Sequence, residues 1–318
     1  MHHPYKIHFE NTVMRVIQIK ILFPLNALHI QTDIIRHNAS SLAIIQAVAH
    51  LLPSARNIAY FDSAFHQTLP AHIHTYPIDP TIAARNKLRK YGFHGISYAF
   101  ILHSVATYLS KPPSATSLIA LHLGSGASAC AIRRGRSVDT SMGLTPLAGL
   151  PGATRSGSVD PSLVFHYTHD AGRPAPRAAK DLHITAAEDI LNKRSGWKAL
   201  TGTTDFGVIS AKAADEQDPE HGRCRLALDI FVDRVLGFVG AYYVTLGGQC
   251  DALVFAGGIG EKGALLRKRV VDGVKCLGFE LVGSAALGLA WGAMSANACV
   301  GRPEEQQSWR CGGLRNWV

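Results

Sequence analysis

The chain has 318 residues, 47% of them apolar and 17% charged, and its 32 basic and 23 acidic side chains leave a net charge of +9. That length suits one large or two ordinary domains, and the composition excludes both a disordered chain and a peptide-sized module. The charge does not indicate a nucleic-acid partner: residues 1–117 carry +6 of it, residues 118–300 carry +2 and residues 301–318 carry +1, with no nucleic-acid motif beside them.

The first 36 residues contain apolar stretches such as VIQIKILFPL but no glycine loop or acidic cluster, and they read as packing segments. The start MHHPYKIHFE lacks an apolar h-region, so the expectation is a cytoplasmic protein in a reducing compartment. From Asn57 onward the texture is α/β: IAYFD (58–62), LIALHL (118–123), SACAIR (128–133) and ALVFAGG (252–258) read as strands, several of them ending in glycine. KPPS at 111–114 reads as a turn. Leu228, Phe231, Val232, Val235, Leu236 and Val239 recur at the spacing of one helix face. A second helix is expected after a glycine loop at 257–263, burying Leu266, Val270, Val274 and Leu277 and leaving Arg267, Lys268 and Arg269 in water. Leu281 to Gly301 is uncharged for 21 residues, long enough to cross a bilayer, yet its Gly, Ala and Ser content argues against a membrane helix. Val300–Val318 shows no periodicity and reads as a poorly packed tail. Six cysteines without a CxxC pair exclude a zinc module and a disulfide scaffold.

Two segments suit an anionic ligand. In LIALHLGSGASACAIR, Gly124 and Gly126 let backbone amides approach phosphate oxygens with the Ser125 hydroxyl beside them, although a plain tight hairpin explains the same residues. In ALVFAGGIGEKG, a buried-type strand runs into Gly257, Gly258 and Gly260, then a helix start carrying Glu261 in its first turn. Asp62 at a strand end, His94 between Gly92 and Gly95, and Arg155 in LPGATRSGSVDP each suit a structural role singly. Together they supply an acid, an imidazole and a guanidinium, the set with which phosphoryl transfer spreads charge.

FDSAFHQTLP, RKYGFHGISY, HLGSGASACAI, DTSMGLTPLAGLPGATRSGSVDP and FAGGIGEKGALLRKR resemble the successive motifs of the acetate kinase family, in order, from about residue 37 to about residue 283. The resemblance implies an α/β, actin-like ATPase (ribonuclease H-like) fold: duplicated domains around a nucleotide cleft, the first incomplete here. It divides the chain into a remnant of the first domain (1–117), a nucleotide-binding domain (118–283) and an atypical C-terminal tail (284–318). It implies reversible transfer from ATP to acetate or another short carboxylate, giving ADP and acetyl phosphate, with Mg²⁺ as cofactor, and a homodimer; the charge distribution and the composition of residues 281–301 give the expectation of no nucleic acid or membrane partner. By motif match Asp62 is similar to the family's catalytic aspartate, and His94 and Arg155 to the residues that hold the transferring phosphoryl group. His122, Leu123, Gly124, Ser125 and Gly126 match the phosphate turn. Asp205, Phe206 and Gly207 match a segment near adenosine, and Gly258, Ile259, Gly260, Glu261 and Lys262 match the adenosine-side loop. No residue is assigned as a metal ligand.

Departures from the pattern accompany the match. Ser125 replaces an asparagine, Lys262 an asparagine and Gly207 an arginine, and residues 1–56 show neither the family's opening NxGSSSxK loop nor its VHGG segment. The metal-linked glutamate that closes the family pattern has no counterpart after Gly283. Both ends therefore read as truncated or altered, and the alternative is an impaired nucleotide-binding remnant or a non-enzymatic interaction protein.

Overall fold

The computed structural model describes residues 17–21, 44, 46–51, 57–167, 170–174, 185–280 and 297–300. Its centre is a five-stranded sheet of β3 (Leu118–Leu123), β4 (Ala127–Arg133), β5 (Arg136–Thr140), β6 (Ala252–Ala256) and β7 (Asn297–Val300), in the order β5-β4-β3-β6-β7. The β3–β4, β4–β5 and β6–β7 pairs are antiparallel, and β3 runs parallel to β6. A separate parallel pair joins β1 (Ile17–Ile21) to β2 (Asn57–Phe61).

Strands β3, β4 and β6 lack a polar face because they are covered on both sides, and successive residues go to alternate cores. Ile119, Leu121, Ala129, Ala131, Leu253 and Phe255 join one cluster with Leu228, Phe231, Val232, Val235 and Val239 of the long helix His221–Thr245. Leu118, Ala120, Cys130, Ile132, Ala252 and Val254 join the other with Tyr98, Ile101, Leu102 and Val105 of helix α1 (Gly95–Tyr108). Each buried Leu, Ile, Val or Phe contributes roughly 1.5–3 kcal/mol, so the sheet that carries the glycine turns is the best-anchored part of the molecule.

Further helices follow in the chain: α2 (Gly196–Thr201), α3 (Phe206–Ala214), α4 (His221–Thr245), α5 (Gly257–Lys262) and α6 (Ala264–Gly273). α5 corrects the expectation of a loop at 257–263. Gly257 adopts φ +78° and turns the chain straight off β6 into a helical turn, which glycine does at little steric cost. In α6, Leu266 and Val270 are buried as expected, with Val274 capping its end and Leu277 in the turn beyond. The basic triplet is less solvated than its sequence suggests. Arg267 Nη1 donates to the carbonyl of Gly260 at 2.7 Å and to that of Glu261, and Arg269 pairs with Asp229 at 2.5 Å. Only Lys268, paired with Asp272 at 2.6 Å, is exposed.

Of the segments read at the chain ends, Ile17–Ile21 forms β1 and Asn297–Val300 forms β7 at the sheet edge. The remainder of the uncharged stretch, and the tail expected beyond Val300, lie outside the described residues. No helix among the described residues is long and apolar enough to cross a membrane.

Candidate active site

Residues 94, 126 and 155 meet in space although 61 positions separate the first from the last. A Cβ placed on Gly126 would lie 3.4 Å from Arg155 Nη1 and 3.8 Å from His94 Nε2. The absent side chain therefore leaves a small cradle walled by a guanidinium and an imidazole.

Each wall is held from behind. β2 ends at Phe61 and delivers Asp62, 1% exposed, to the start of α1. Its carboxylate Oδ2 accepts the His94 N–H at 2.8 Å and its backbone carbonyl accepts the Gly95 N–H at 2.8 Å. A carboxylate is favoured at this helix end, where unpaired amides gather. His94 takes φ +61°, a left-handed conformation rare for a side-chain-bearing residue, and this turn aims its ring at Gly126. His94 Nδ1 lies 2.7 Å from Ser128 Oγ, and the ring stacks on His122 at 4.1 Å between centroids. His122 Nδ1 lies 2.8 Å from Ser97 Oγ.

The Arg155 loop is clamped by α2. The Trp197 and Lys198 amides at the start of that helix donate to the carbonyls of Gly152 and Ala153 at 3.2 and 3.0 Å, and Gly152 N–H donates to the Arg155 carbonyl at 3.0 Å. Ala153 N–H donates to the Ser125 carbonyl at 2.9 Å, tying this loop to the glycine turn. Arg155 itself is half-buried, and burial lowers its pKa from the ordinary arginine value. Among the described residues no carboxylate lies within ion-pair distance of it. A partly desolvated cation without an acidic partner is an anion site in waiting.

Beside the cradle opens a cavity of about 650 Å³, within the usual range for small-molecule sites, roughly 300–1,000 Å³. Gly124 and Ser125 form one wall, Asp205, Phe206 and Gly207 a second, and Gly258, Ile259 and Lys262 a third. Three segments separated by up to 138 positions thus share one space. Asp205 is the N-cap of α3, its Oδ1 accepting the Gly207 and Val208 amides at 2.8 and 3.2 Å. Phe206 is buried and edge-on to Trp197 and Phe231, with centroids 5.2 Å away in each case, so it forms the cavity floor.

The other residues singled out from the sequence lie off this wall. The Leu123 side chain is fully buried in the core. Gly260 is buried behind Phe255, and the Glu261 carbonyl accepts from Arg267. His122 and Gly126 belong to the cradle rather than the cavity. Sequence reasoning missed Thr204, Ser210 and Leu265 on the cavity wall and Ser128 and Tyr98 behind His94. Ser128 left a usable signal, because a hydroxyl inside an otherwise apolar buried strand must find a polar partner.

The model of the Acetokinase family matches residues 27–293. A probable acetate kinase of Emericella nidulans is 61% identical over 245 residues, which cover 77% of this chain and 57% of that one. The crystal structure of a propionate kinase from Francisella tularensis superposes with a TM-score of 0.68 at 36% identity, covering 77% of this chain and 60% of that one. That of Porphyromonas gingivalis acetate kinase gives 0.69 at 32% identity, covering 79% and 60%. The chain thus spans less than two thirds of the relatives it matches, and the α/β architecture, with its mixed sheet, is that of the acetate and propionate kinases in incomplete form. By family model, sequence identity and fold, this chain belongs to the acetokinase family.

Proposed function

We propose that the chain carries the phosphoryl-transfer site of an acetate kinase-like enzyme, with a nucleotide in the 650 Å³ cavity and its terminal phosphoryl group in the cradle at Gly126. The observation that carries this reading is the meeting of half-buried Arg155, His94 Nε2 and side-chain-free Gly126 within 4 Å of one point. A carboxylate oxygen of acetate attacks the γ-phosphorus, the bond to the bridging oxygen breaks, and ADP leaves with that electron pair.

Such a transition state carries its charge on three equatorial oxygens, so fixed donors accelerate it more than covalent chemistry would. Arg155 offers a planar fork of N–H groups suited to phosphate, and its clamped loop spares it reorganisation. His94 faces the same point from the start of α1. Asp62 holds His94 and Gly95 in place, and the turn at 124–126 admits phosphate oxygens without a Cβ in the way. The space beyond the α3 N-terminus suits adenosine, with Phe206 beneath and the Lys262 ammonium at the rim.

Among the described residues no group of three or more His, Cys, Asp or Glu side chains forms a metal cage. That donor set fits Mg²⁺ bound chiefly through nucleotide phosphates and water, as it usually is, with Asp62 the nearest buried carboxylate to the cradle. When bound, Mg²⁺ would neutralise phosphate charge. Acetate is preferred here over longer carboxylates because the curated relatives carry that name.

Incubation of the purified chain with ATP, Mg²⁺ and acetate, trapping acyl phosphate with hydroxylamine, tests the proposal. Hydroxamate that disappears in Arg155→Ala supports it. Nucleotide binding without hydroxamate overturns it in favour of a nucleotide-binding remnant, and propionate outpacing acetate overturns the substrate assignment alone.

A further inference from the structure

Behind His94 lies a chain of buried polar groups. Ser128 is fully buried in β4, and its hydroxyl meets two side chains: the Tyr98 phenol from α1 and His94 Nδ1 at 2.7 Å. Tyr98 is also fully buried. Burial pushes its phenol well above the ordinary tyrosine range, so the proton stays on.

Counting protons fixes the direction of the chain. The proton of the fully buried Tyr98 phenol goes to Ser128 Oγ, its one side-chain hydrogen-bond partner among the described residues. Ser128 then accepts from Tyr98 and has a single proton left to give, and the remaining partner is His94 Nδ1. A neutral imidazole that accepts at Nδ1 carries its proton at Nε2. Nε2 is the atom facing Gly126 and Arg155.

We propose that Tyr98 and Ser128 are positioning residues that hold His94 in its Nε2–H tautomer, so that the cradle is presented with a donor rather than a lone pair. The reverse tautomer would aim a lone pair at an anionic oxygen and repel it. The tautomer is a property of the protein alone; only its consequence for turnover rests on the phosphoryl-transfer reading.

Long-range proton–nitrogen correlation spectra of the chain labelled with ¹⁵N-histidine read the tautomer directly, with His94→Gln identifying the His94 signals. At a pH where the same spectra show His94 neutral, the expected pattern is a pyridine-type Nδ1 and a pyrrole-type Nε2. Ser128→Ala and Tyr98→Phe are each expected to shift His94 towards a mixture of tautomers, the second while keeping the aromatic ring that packs the core. In the hydroxamate assay, Ser128→Ala is expected to lower kcat roughly 10–100-fold, the usual effect of removing a partner that orients a site residue, with the nucleotide KM unchanged. A pyrrole-type Nδ1 in the unmodified chain, or an unaltered tautomer in both variants, overturns the proposal. An unmodified chain that shows the expected tautomer and makes no hydroxamate overturns the phosphoryl-transfer reading and leaves this one standing.

Discussion

The backbone carbonyl of Asp62 occupies the space where a Cβ on Gly95 would stand, only 2.2 Å from it. That approach lets the Gly95 N–H reach the carbonyl at 2.8 Å and brings the Asp62 carboxylate onto the His94 amide. Gly95→Ala must push β2 and α1 apart. The expected result is a loss of about 3 kcal/mol, near the upper end of ordinary overpacking, together with loss of the site. Chemical denaturation and the hydroxamate assay check both, and a variant of unchanged stability would show that the junction is softer than its geometry.

Gly126→Ala separates ligand binding from folding. The nearest atoms to its Cβ would be Arg155 Nη1 at 3.4 Å and the His94 ring at 3.8 and 3.9 Å, so the fold has little to resist. Stability is expected to change by less than about 1 kcal/mol, while binding of a phosphate-bearing ligand falls at least tenfold. Titration calorimetry with ATP and with ADP measures this, and the larger loss is expected for ATP.

Arg155→Ala removes a cation with no acidic partner among the described residues. Stability is expected to hold or rise slightly, since a desolvation cost goes with the charge. Turnover is expected to fall roughly 10²–10³-fold, the usual loss for one positioned donor. Arg155→Lys keeps the charge without the planar fork and is expected to recover only part of the rate. Equal rates for Lys and Arg would show that charge alone suffices.

Gly258→Leu tests the cavity apart from the cradle. A Cβ there has no atom within 4 Å, and leaving glycine within a helix gains up to about 1 kcal/mol in propensity. The expected variant folds at least as well as the parent and binds nucleotide at least tenfold more weakly. Retained ADP affinity in calorimetry would move the adenosine out of this space.

His66 sets an acid limit. Burial pushes it down from 6.5 to about 4, despite a hydrogen bond with the Phe93 carbonyl at 3.0 Å and a partner in Ser137 Oγ at 2.8 Å. The unfolded chain takes up a proton near 6.5, whereas the folded chain stays neutral until about 4. Stability from this group is complete above the unfolded value and falls as pH descends through that window, by about 3 kcal/mol in all. Urea midpoints measured across the window are expected to drop accordingly, and His66→Gln to flatten the slope.

The strands were legible in the sequence because apolar runs bounded by glycine have few other readings: LIALHL and ALVFA lie where their residues put them. Gly257–Lys262 was misread because three glycines signal a loop when the neighbouring strand end that holds them helical is out of sight. Arg267 and Arg269 looked solvated for a similar reason, since their partners, the Gly260 carbonyl and Asp229, belong to other elements. Asp62, His94 and Arg155 could be suspected singly, but nothing in their spacing reveals that His94 and Arg155 face one point. Tertiary packing supplies that, and the family motifs anticipate it. The roles of Tyr98 and Ser128 were invisible because each residue satisfies a local pattern, one on a helix face and the other in a strand.

The hydrogen-bonded register between β3 and β6 pairs His122 with Ala256, so the glycine turn and α5 leave the sheet from neighbouring strands at the same height. The sheet therefore works as a ruler for the ligand. A slip of one residue in β6 would move the wall at 258–262 by about 3.3 Å along the strand and exchange every side chain between the two cores. The spacing between the two walls is thus quantised by backbone pairing, and evolution can retouch the side chains lining the space far more easily than it can alter the length of molecule the space measures.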